Sequence, residues 1–130
     1  NKSLPADKVT YWDFNANDVG YVPSVKSHVK ETPAKYRDVS AAAITASALF
    51  ELSTFTGAAG ETYRAAAVDI LHALSSPAYR AAAGENGDFL LKHSVGSIAH
   101  GVEIDVPLVY ADYYFLEAMN MYKLLLDRQH

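Results

Sequence analysis

The pattern of apolar and polar positions changes near Asp38. Before that point, residues 1–37 show little sustained periodicity and hold three of the five prolines. After it, apolar residues recur at spacings of three and four, which is the pattern of amphipathic helices. We therefore expect an irregular leader over residues 1–37 and helical hairpins over residues 38–130.

The first predicted helix covers residues 41–55. Asp38 and Ser40 precede it and offer side-chain oxygens for an N-cap. The larger apolar residues share one face, at Ile44, Ala48, Leu49, Leu52 and Phe55. The opposite face carries alanine and serine in place of charges, which predicts a helix that is buried on most sides.

Two further helices complete the expected fold. One is predicted over residues 61–75, after Gly57 and Gly60 and before Pro77, and the other over residues 108–126. Between them, residues 93–107 are interpreted as a polar loop. Long helices joined by loops of this kind predict an all-α fold of antiparallel hairpins.

The leader carries an aromatic run at residues 11–14, Tyr-Trp-Asp-Phe, followed by turn-forming residues. More than thirty residues without a clear element is unusual inside a compact domain. Such a segment is typical of a functional loop, a linker, or a stretch that covers a neighbouring surface.

Composition narrows the class of protein. The 130 residues are half hydrophobic and one fifth charged, with a formal net charge of −4, which is typical of one globular domain. The mild acidity and the lack of a basic stripe argue against nucleic acid or an anionic membrane as a partner. There is no cysteine, so disulfides and thiolate metal sites are excluded. The chain begins with Asn1 and has no signal-peptide pattern, so we interpret it as a fragment or a processed product.

The richest candidate chemistry lies in residues 93–105, which hold two histidines, two serines and two acids. Such a loop suits a polar ligand such as a sugar. The alternative is a solvated loop whose serines and acids cap neighbouring helices. A metal site from His93, His100, Glu103 and Asp105 fits no standard ligand spacing, so none is predicted. No nucleophile elbow of a serine hydrolase is present either.

Acidic residues form no obvious catalytic pair. Glycosidic chemistry needs carboxylates across a cleft, or one carboxylate with a raised pKa. The candidates are Asp13, Asp38, Glu103, Asp105 and Asp112. Their spacing singles out no two of them, so the residues alone predict a helical assembly with a polar loop and leave its function open.

Three ordered segments resemble a known family. They are residues 11–14, residues 37–52 (beginning Arg-Asp-Val-Ser-Ala-Ala-Ala-Ile) and residues 103–118, which contain Tyr-Ala-Asp-Tyr-Tyr-Phe-Leu-Glu-Ala. Their order and their amino-acid sequences are similar to those of the C-terminal part of the unsaturated glucuronyl hydrolases, glycoside hydrolase family 88. The resemblance covers nearly the whole chain.

The resemblance implies an (α/α)6 toroid of six helical hairpins, of which residues 1–130 would supply about two as the C-terminal fragment of one catalytic domain. It implies removal of a 4,5-unsaturated glucuronic acid from lyase-generated oligosaccharides of the glycosaminoglycan type, by hydration of the C4=C5 double bond. It implies no metal and no organic cofactor. The family's two key aspartates belong to its N-terminal half, so we expect no catalytic residue here and an inactive fragment.

The resemblance also suggests where substrate binds. In some family members a Ser-x-x-Ser-x-Lys loop binds sulfate, and Ser94 and Ser97 match its serines while Ala99 replaces its lysine. We therefore expect no strong preference for sulfated substrates through this loop. The candidate substrate-binding residues are His93, Ser94, Ser97, His100 and Asp38, the last because a helix N-terminus favours a carboxylate.

Other interpretations stay open at this stage. A non-catalytic helical module, either carbohydrate-binding or structural, would show no turnover, and a relative that hydrolyses unsaturated rhamnogalacturonyl units would share the toroid. We expect the exposed apolar helix faces to associate with the missing N-terminal portion or with a second copy. For the compartment, the bacterial periplasm is favoured over the cytoplasm.

Overall fold

The computed structural model describes residues 4–15, 18–20, 22 and 35–128. They form three α-helices, α1 (Val39–Ser53), α2 (Gly60–Leu74) and α3 (Val109–Asp127), and two strands, β1 (Ser94–Ser97) and β2 (Val102–Val106). Short 3₁₀ turns lie at Gly57–Ala59 and Asn86–Asp88. The three predicted helices are confirmed, and each end lies within two residues of its predicted position.

Helix α1 begins at Val39 because Asp38 caps it. The Oδ1 atom of Asp38 accepts hydrogen bonds from the backbone N–H groups of Ser40 at 3.1 Å and Ala41 at 3.3 Å. These donors belong to the first helical turn and have no partner within the helix. The Ser40 hydroxyl donates to the same oxygen at 2.6 Å. One carboxylate oxygen therefore satisfies the start of the helix.

The turn from α1 to α2 depends on a glycine. A Cβ atom at Gly60 would lie 2.3 Å from the backbone carbonyl oxygen of Ser53, far inside contact distance. Any other residue would push the two helices apart at this point. Helix α2 therefore reverses direction tightly and packs against α1.

The buried face of α1 is the one with small residues. Its buried positions are Val39, Ser40, Ala42, Ala43, Ala46, Ser47, Phe50 and Ser53. The larger Ile44 and Leu52 are 39% and 40% exposed. Burial on most sides is therefore not what the described chain shows. The face with small side chains is the one that packs against the neighbouring helices, because small side chains allow the helices to approach closely.

Helix α1 lies centrally and contacts both other helices. The ring of Phe50 stacks on that of Tyr122 in α3, with centroids 5.6 Å apart. One turn earlier, the Ser47 hydroxyl donates to the Glu117 carboxylate of α3. These pairings advance in the same direction along both helices, so α1 and α3 run parallel and begin at the same end of the molecule.

Residues 93–106, interpreted above as a loop, instead form an antiparallel hairpin of β1 and β2. The register is Ser94–Val106, Val95–Ile104 and Ser97–Val102, with an irregularity after Ser94. Asp105 has no opposite residue and forms a β-bulge. The loop prediction was wrong because the two strands lack the regular alternation of buried and exposed residues from which a strand is predicted. Positive φ angles at His93, Glu103 and Asp105, none of them glycine, accompany this irregularity.

The described part of the leader is fastened to the helical body. The backbone N–H of Asp38 donates to the carbonyl of Thr10 at 2.9 Å. The Arg37 guanidinium donates to the carbonyl of Val9 at 2.7 Å. Val9 is fully buried. Residues 4–15 contain neither a helix nor a strand, yet they cover the start of α1.

None of the helices among the described residues combines the length and the apolar character needed to cross a membrane.

Candidate functional site

The leader and α1 enclose a groove of about 560 Å³ at the end where α1 begins. Its walls are Leu4, Lys8, Thr10, Tyr11, Trp12, Phe14, Asp38, Ala41, Ala42, Thr45, Leu49 and Ile70. Three of these side chains are aromatic, one is cationic and one is a carboxylate. A mostly apolar cleft with a few convergent polar groups is typical of a small-molecule site.

Asp38 presents one engaged and one available oxygen to this end of the groove. Its Oδ1 atom receives the two N–H groups of the helix cap and, at 3.5 Å, the N–H of Val95 from β1. No described residue donates a hydrogen bond to its Oδ2 atom. The helix N–H groups are therefore taken by Asp38 itself, and a ligand carboxylate would meet a like charge there. A sugar hydroxyl is the better partner for the second oxygen.

His93 lies beside Asp38 at the base of the hairpin. Its backbone carbonyl accepts a hydrogen bond from the N–H of Val39 at 3.2 Å. Its Nδ1 atom is 2.7 Å from Oδ1 of Asp105, across the bulge. The ring also meets the edge of the Tyr79 ring, at a centroid distance of 6.4 Å. About 43% of the His93 side chain is exposed, but it is not among the residues that line the groove.

Ser94 is placed less favourably for binding. Its side chain is fully buried, and its Oγ atom has no hydrogen-bond partner among the residues that the structure describes. A ligand cannot reach this hydroxyl without movement of the hairpin. The structure therefore argues against direct substrate contact by Ser94, since the strand turns it towards the core.

Ser97 and His100 lie apart from the other candidates. The Ser97 hydroxyl and Nδ1 of His100 are 2.7 Å apart, at the turn end of the hairpin. Ser97 lies three positions after Ser94 along β1, a distance of about 10 Å. The structure thus brings Asp38, His93 and Ser94 together and leaves Ser97 and His100 as a second, exposed pair.

Residues from the leader are the part of the site that the candidate set omitted. Trp12 is the sole tryptophan of the chain, and it lines the groove with Tyr11 and Phe14. The aromatic run at residues 11–14 was the available signal. Its position over α1 depends on the Arg37 and Asp38 contacts, which sequence periodicity does not reveal.

Two of the other candidate carboxylates, Asp13 and Asp112, have structural partners. Asp13 accepts the N–H of Asn15 at 2.7 Å. Asp112 accepts the N–H groups of Leu90 and Leu91 at 2.8 and 2.9 Å. Asp38 is the one carboxylate among the described groove-lining residues, so no acid pair faces a ligand in this part of the chain. Within the described residues there is also no group of three or more metal-binding side chains.

A tyrosine behind the hairpin has a strongly shifted pKa. Burial, and then the 2.5 Å hydrogen bond from its hydroxyl to Oδ2 of Asp7, raise the pKa of Tyr79 to about 12. Asp7 is also 3.3 Å from Arg37. This network ties the leader to the segment after α2 and supports the wall on which His93 rests.

Comparison with known proteins identifies the chain's relatives. An unsaturated glucuronyl hydrolase of Formosa agariphila is 44% identical over 120 residues, which are 92% of this chain and 26% of the relative. One from Bacillus sp. strain GL1 is 30% identical over 119 residues, 89% of this chain and 28% of the relative. No family model matches.

Solved structures agree with the sequence relatives. A crystal structure of an unsaturated glucuronyl hydrolase specific for heparin superposes with a TM-score of 0.81 at 44% identity, covering 98% of this chain and 30% of that one. The chain belongs to the unsaturated glucuronyl hydrolase family. The resemblance and the fold class, part of an α/α toroid, are therefore confirmed, with a small two-stranded sheet added.

The chain matches only a part of the length of each of these relatives. It spans between about a quarter and a third of the length of the unsaturated glucuronyl hydrolases that it matches. A variant of the Streptococcus agalactiae enzyme, 30% identical with a TM-score of 0.71, was solved in complex with dGlcA-GalNAc6S. It is covered to 29% by this chain, of which 92% is matched.

Proposed function

We propose that this chain is one part of an enzyme that removes 4,5-unsaturated glucuronic acid from lyase-generated oligosaccharides, and that it supplies a substrate-binding wall. The observation that carries the proposal is the 44% identity over 92% of the chain to an unsaturated glucuronyl hydrolase. In this reaction a proton is added to the C4=C5 double bond and water adds at C5. The resulting hemiketal opens and releases the sugar.

The groove suits a short acidic sugar. The aromatic side chains of Tyr11, Trp12 and Phe14 offer flat apolar faces for the sugar ring. Lys8 brings a positive charge to the same groove, which complements a uronic carboxylate, while Asp38 offers an acceptor for a hydroxyl group. The groove therefore holds groups for three different parts of a uronic acid.

The acid that protonates the double bond belongs, in this proposal, outside the chain. Asp38 is the groove carboxylate of the described residues, and four donors already hold its Oδ1 atom. These bonds engage Asp38 in holding the start of α1, and no second carboxylate among the described residues lines the groove to pair with it. The chain thus contributes binding, and turnover needs the remainder of the protein.

Binding can be measured directly because Trp12 is the sole tryptophan. Titration of the chain with an unsaturated glucuronyl disaccharide should change the Trp12 fluorescence, whereas a neutral saturated disaccharide should change it much less. The Lys8→Ala variant should bind the acidic sugar about two- to fivefold more weakly, the effect of one exposed charge. Lys123→Ala, on the exposed side of α3, is the matched control and should bind like the wild type.

Turnover is followed through loss of the ultraviolet absorbance of the double bond. We expect turnover when the chain is extended to the full length of its relatives, and none from residues 1–130 alone. Activity of residues 1–130 alone would contradict the placement of the acid. Sugar binding without turnover in the extended protein would favour the non-catalytic carbohydrate-binding module instead.

The Trp12 fluorescence titration also tests the expectation about sulfate. Ala99 lacks the charge that would attract a sulfate group, and the Ser94 hydroxyl is buried. Sulfated and unsulfated forms of the disaccharide should therefore bind with affinities within about threefold of each other. A large preference for the sulfated form would contradict this proposal.

The exposed apolar faces of α1 and α3 favour a second part of the proposal. Leu52, Tyr113 and Leu116 are 40%, 59% and 53% exposed, although helices of a toroid pack on both sides. We place the remainder of the protein over these faces. Mixing the chain with a separately produced upstream portion should give a stable one-to-one complex by light scattering, and Leu116→Glu should weaken it.

A further inference from the structure

Two strained residues meet at the bulge of the hairpin. His93 has a φ angle of 69° and Asp105 one of 56°, both in the left-handed region. This conformation is unfavourable for a residue with a Cβ atom and persists only where the surroundings enforce it. The bulge aims the Asp105 carboxylate at the His93 ring, and Oδ1 and Nδ1 are 2.7 Å apart.

The residues next to this pair hold the start of α1. The His93 carbonyl accepts the N–H of Val39 at 3.2 Å, and the N–H of Val95 reaches Oδ1 of Asp38 at 3.5 Å. Val39 is fully buried and Val95 is 7% exposed, so water replaces these contacts poorly. The two bonds lie on either side of Ser94, whose side chain is buried. The bulged end of the hairpin therefore holds the start of α1 through these two hydrogen bonds.

The His93 side chain also contacts a third segment, the one that follows α2. Its ring meets the Tyr79 ring edge-on, at an interplanar angle of 84°. The Tyr79 hydroxyl in turn donates to Asp7 of the leader. One side chain thus touches the hairpin, the segment after α2 and, through Tyr79, the leader that covers the groove.

We propose that the His93–Asp105 hydrogen bond positions Asp38 at the groove by fixing the register of the bulge. Neither residue lines the groove, so both are positioning residues. The inference deepens the proposed function, and it rests on that function only for the identity of the ligand. The arrangement of the helix start is a property of the chain itself.

Three variants separate the side-chain bond from the backbone strain. Asp105→Gly relieves the positive φ angle but removes the carboxylate. Asp105→Asn tolerates the same backbone and keeps an oxygen as acceptor. Glu103→Gly is the matched control, because Glu103 lies on the same strand and has a φ angle of 53°.

Amide hydrogen exchange of the chain, followed by nuclear magnetic resonance, measures how strongly the hydrogen bonds of the Val39 and Val95 amides are held. In Asp105→Gly we expect exchange at these two amides to become about tenfold faster, the loss of roughly one hydrogen bond. In Asp105→Asn and Glu103→Gly we expect changes within about twofold. Trp12 fluorescence should show about fivefold weaker sugar binding in Asp105→Gly and unchanged binding in the control.

The outcomes that would overturn the inference are distinct. Unchanged exchange at Val39 and Val95 in Asp105→Gly would show that the His93–Asp105 bond does not hold the start of α1. Equally faster exchange throughout α2 and α3 would show a global loss of stability instead. Unchanged sugar affinity in Asp105→Gly would overturn the positioning of Asp38 for the ligand. If the wild type binds no sugar, the proposed function fails, while the exchange result still decides the positioning.

Discussion

Asp38 links the helix cap to the hairpin through a single oxygen, so its removal should be costly. In Asp38→Ala the N–H groups of Ser40, Ala41 and Val95 lose their acceptor, as does the Ser40 hydroxyl. Ser40 is 4% exposed and Val95 is 7% exposed. Buried donors of this kind are poorly compensated by water.

The magnitude follows from these contacts. Loss of the cap costs about 1 kcal/mol of the free energy of unfolding. The stranded Ser40 and Val95 donors add about 1 kcal/mol together, because the Val95 bond is long. The sum of about 2 kcal/mol corresponds to a fall of roughly 8 °C in the melting temperature for a chain of this size. Urea and thermal unfolding followed by circular dichroism measure both quantities.

Two variants complete this test. Asp38→Asn retains a capping oxygen and should stay within about 0.5 kcal/mol of the wild type. Asp69→Ala removes an exposed carboxylate from α2 and should also change the unfolding free energy by less than about 0.5 kcal/mol. If Asp38→Ala unfolds at the same midpoint as Asp69→Ala, the cap and the hairpin bond do not stabilise the fold and the reasoning is refuted.

Three further predictions concern the stability of the fold. Phe50→Ala removes a ring that is 1% exposed, so the free energy of unfolding in urea should fall by about 4 kcal/mol. Gly60→Ala places a Cβ atom 2.3 Å from the Ser53 carbonyl oxygen and should lower the urea-unfolding free energy by about 2 kcal/mol. Tyr79 has a pKa of about 12 when folded, mainly through burial and then through Asp7, against about 10 when unfolded. Its contribution is therefore present below about pH 10 and lost as the pH rises towards 12, so unfolding free energy should fall across that window, and less steeply in Tyr79→Phe.

Each of these predictions has its own counter-result. A Phe50→Leu variant should keep most of the stability, and equal losses for leucine and alanine would contradict a packing explanation. Ala59→Gly tests whether any change at the turn is harmful, and a loss as large as that of Gly60→Ala would argue against a steric cause. A pH slope in Tyr79→Phe identical to that of the wild type would show that another tyrosine is responsible.

The helices were predictable because their signals are local. The N-cap at Asp38, the glycines before α2 and the apolar spacing all act within one or two turns, and the predicted ends agree with the observed ones. The face that α1 buries was not predictable in the same way. Large residues such as Ile44 suggest a core by their hydrophobicity, but the neighbouring helices select the small face for close approach.

The candidate site was predictable in composition but not in arrangement. The loop chemistry at His93 and the helix start at Asp38 could be identified from residue types. The burial of Ser94 could not, because it depends on the hairpin register. That register is set by left-handed backbones at His93 and Asp105, which are imposed by tertiary contacts and leave no periodic trace in the sequence.

The contact between Ser47 and Glu117 has a consequence for how α1 and α3 find their alignment. Ala42, Ala43 and Ala46 make the first half of the buried face of α1 nearly uniform, so a shift by one helical turn, about 5.4 Å, would change the apolar contact there little. The carboxylate breaks this uniformity, because in a shifted alignment Glu117 would lie against alanine with no donor from Ser47. Glu117 is half-buried and keeps the hydrogen bond from the Tyr113 hydroxyl of its own helix, so a shift costs it one of two partners, about 1 kcal/mol. The Ser47–Glu117 hydrogen bond therefore specifies the alignment along the alanine half of α1, as the Phe50–Tyr122 stacking does further along the helix.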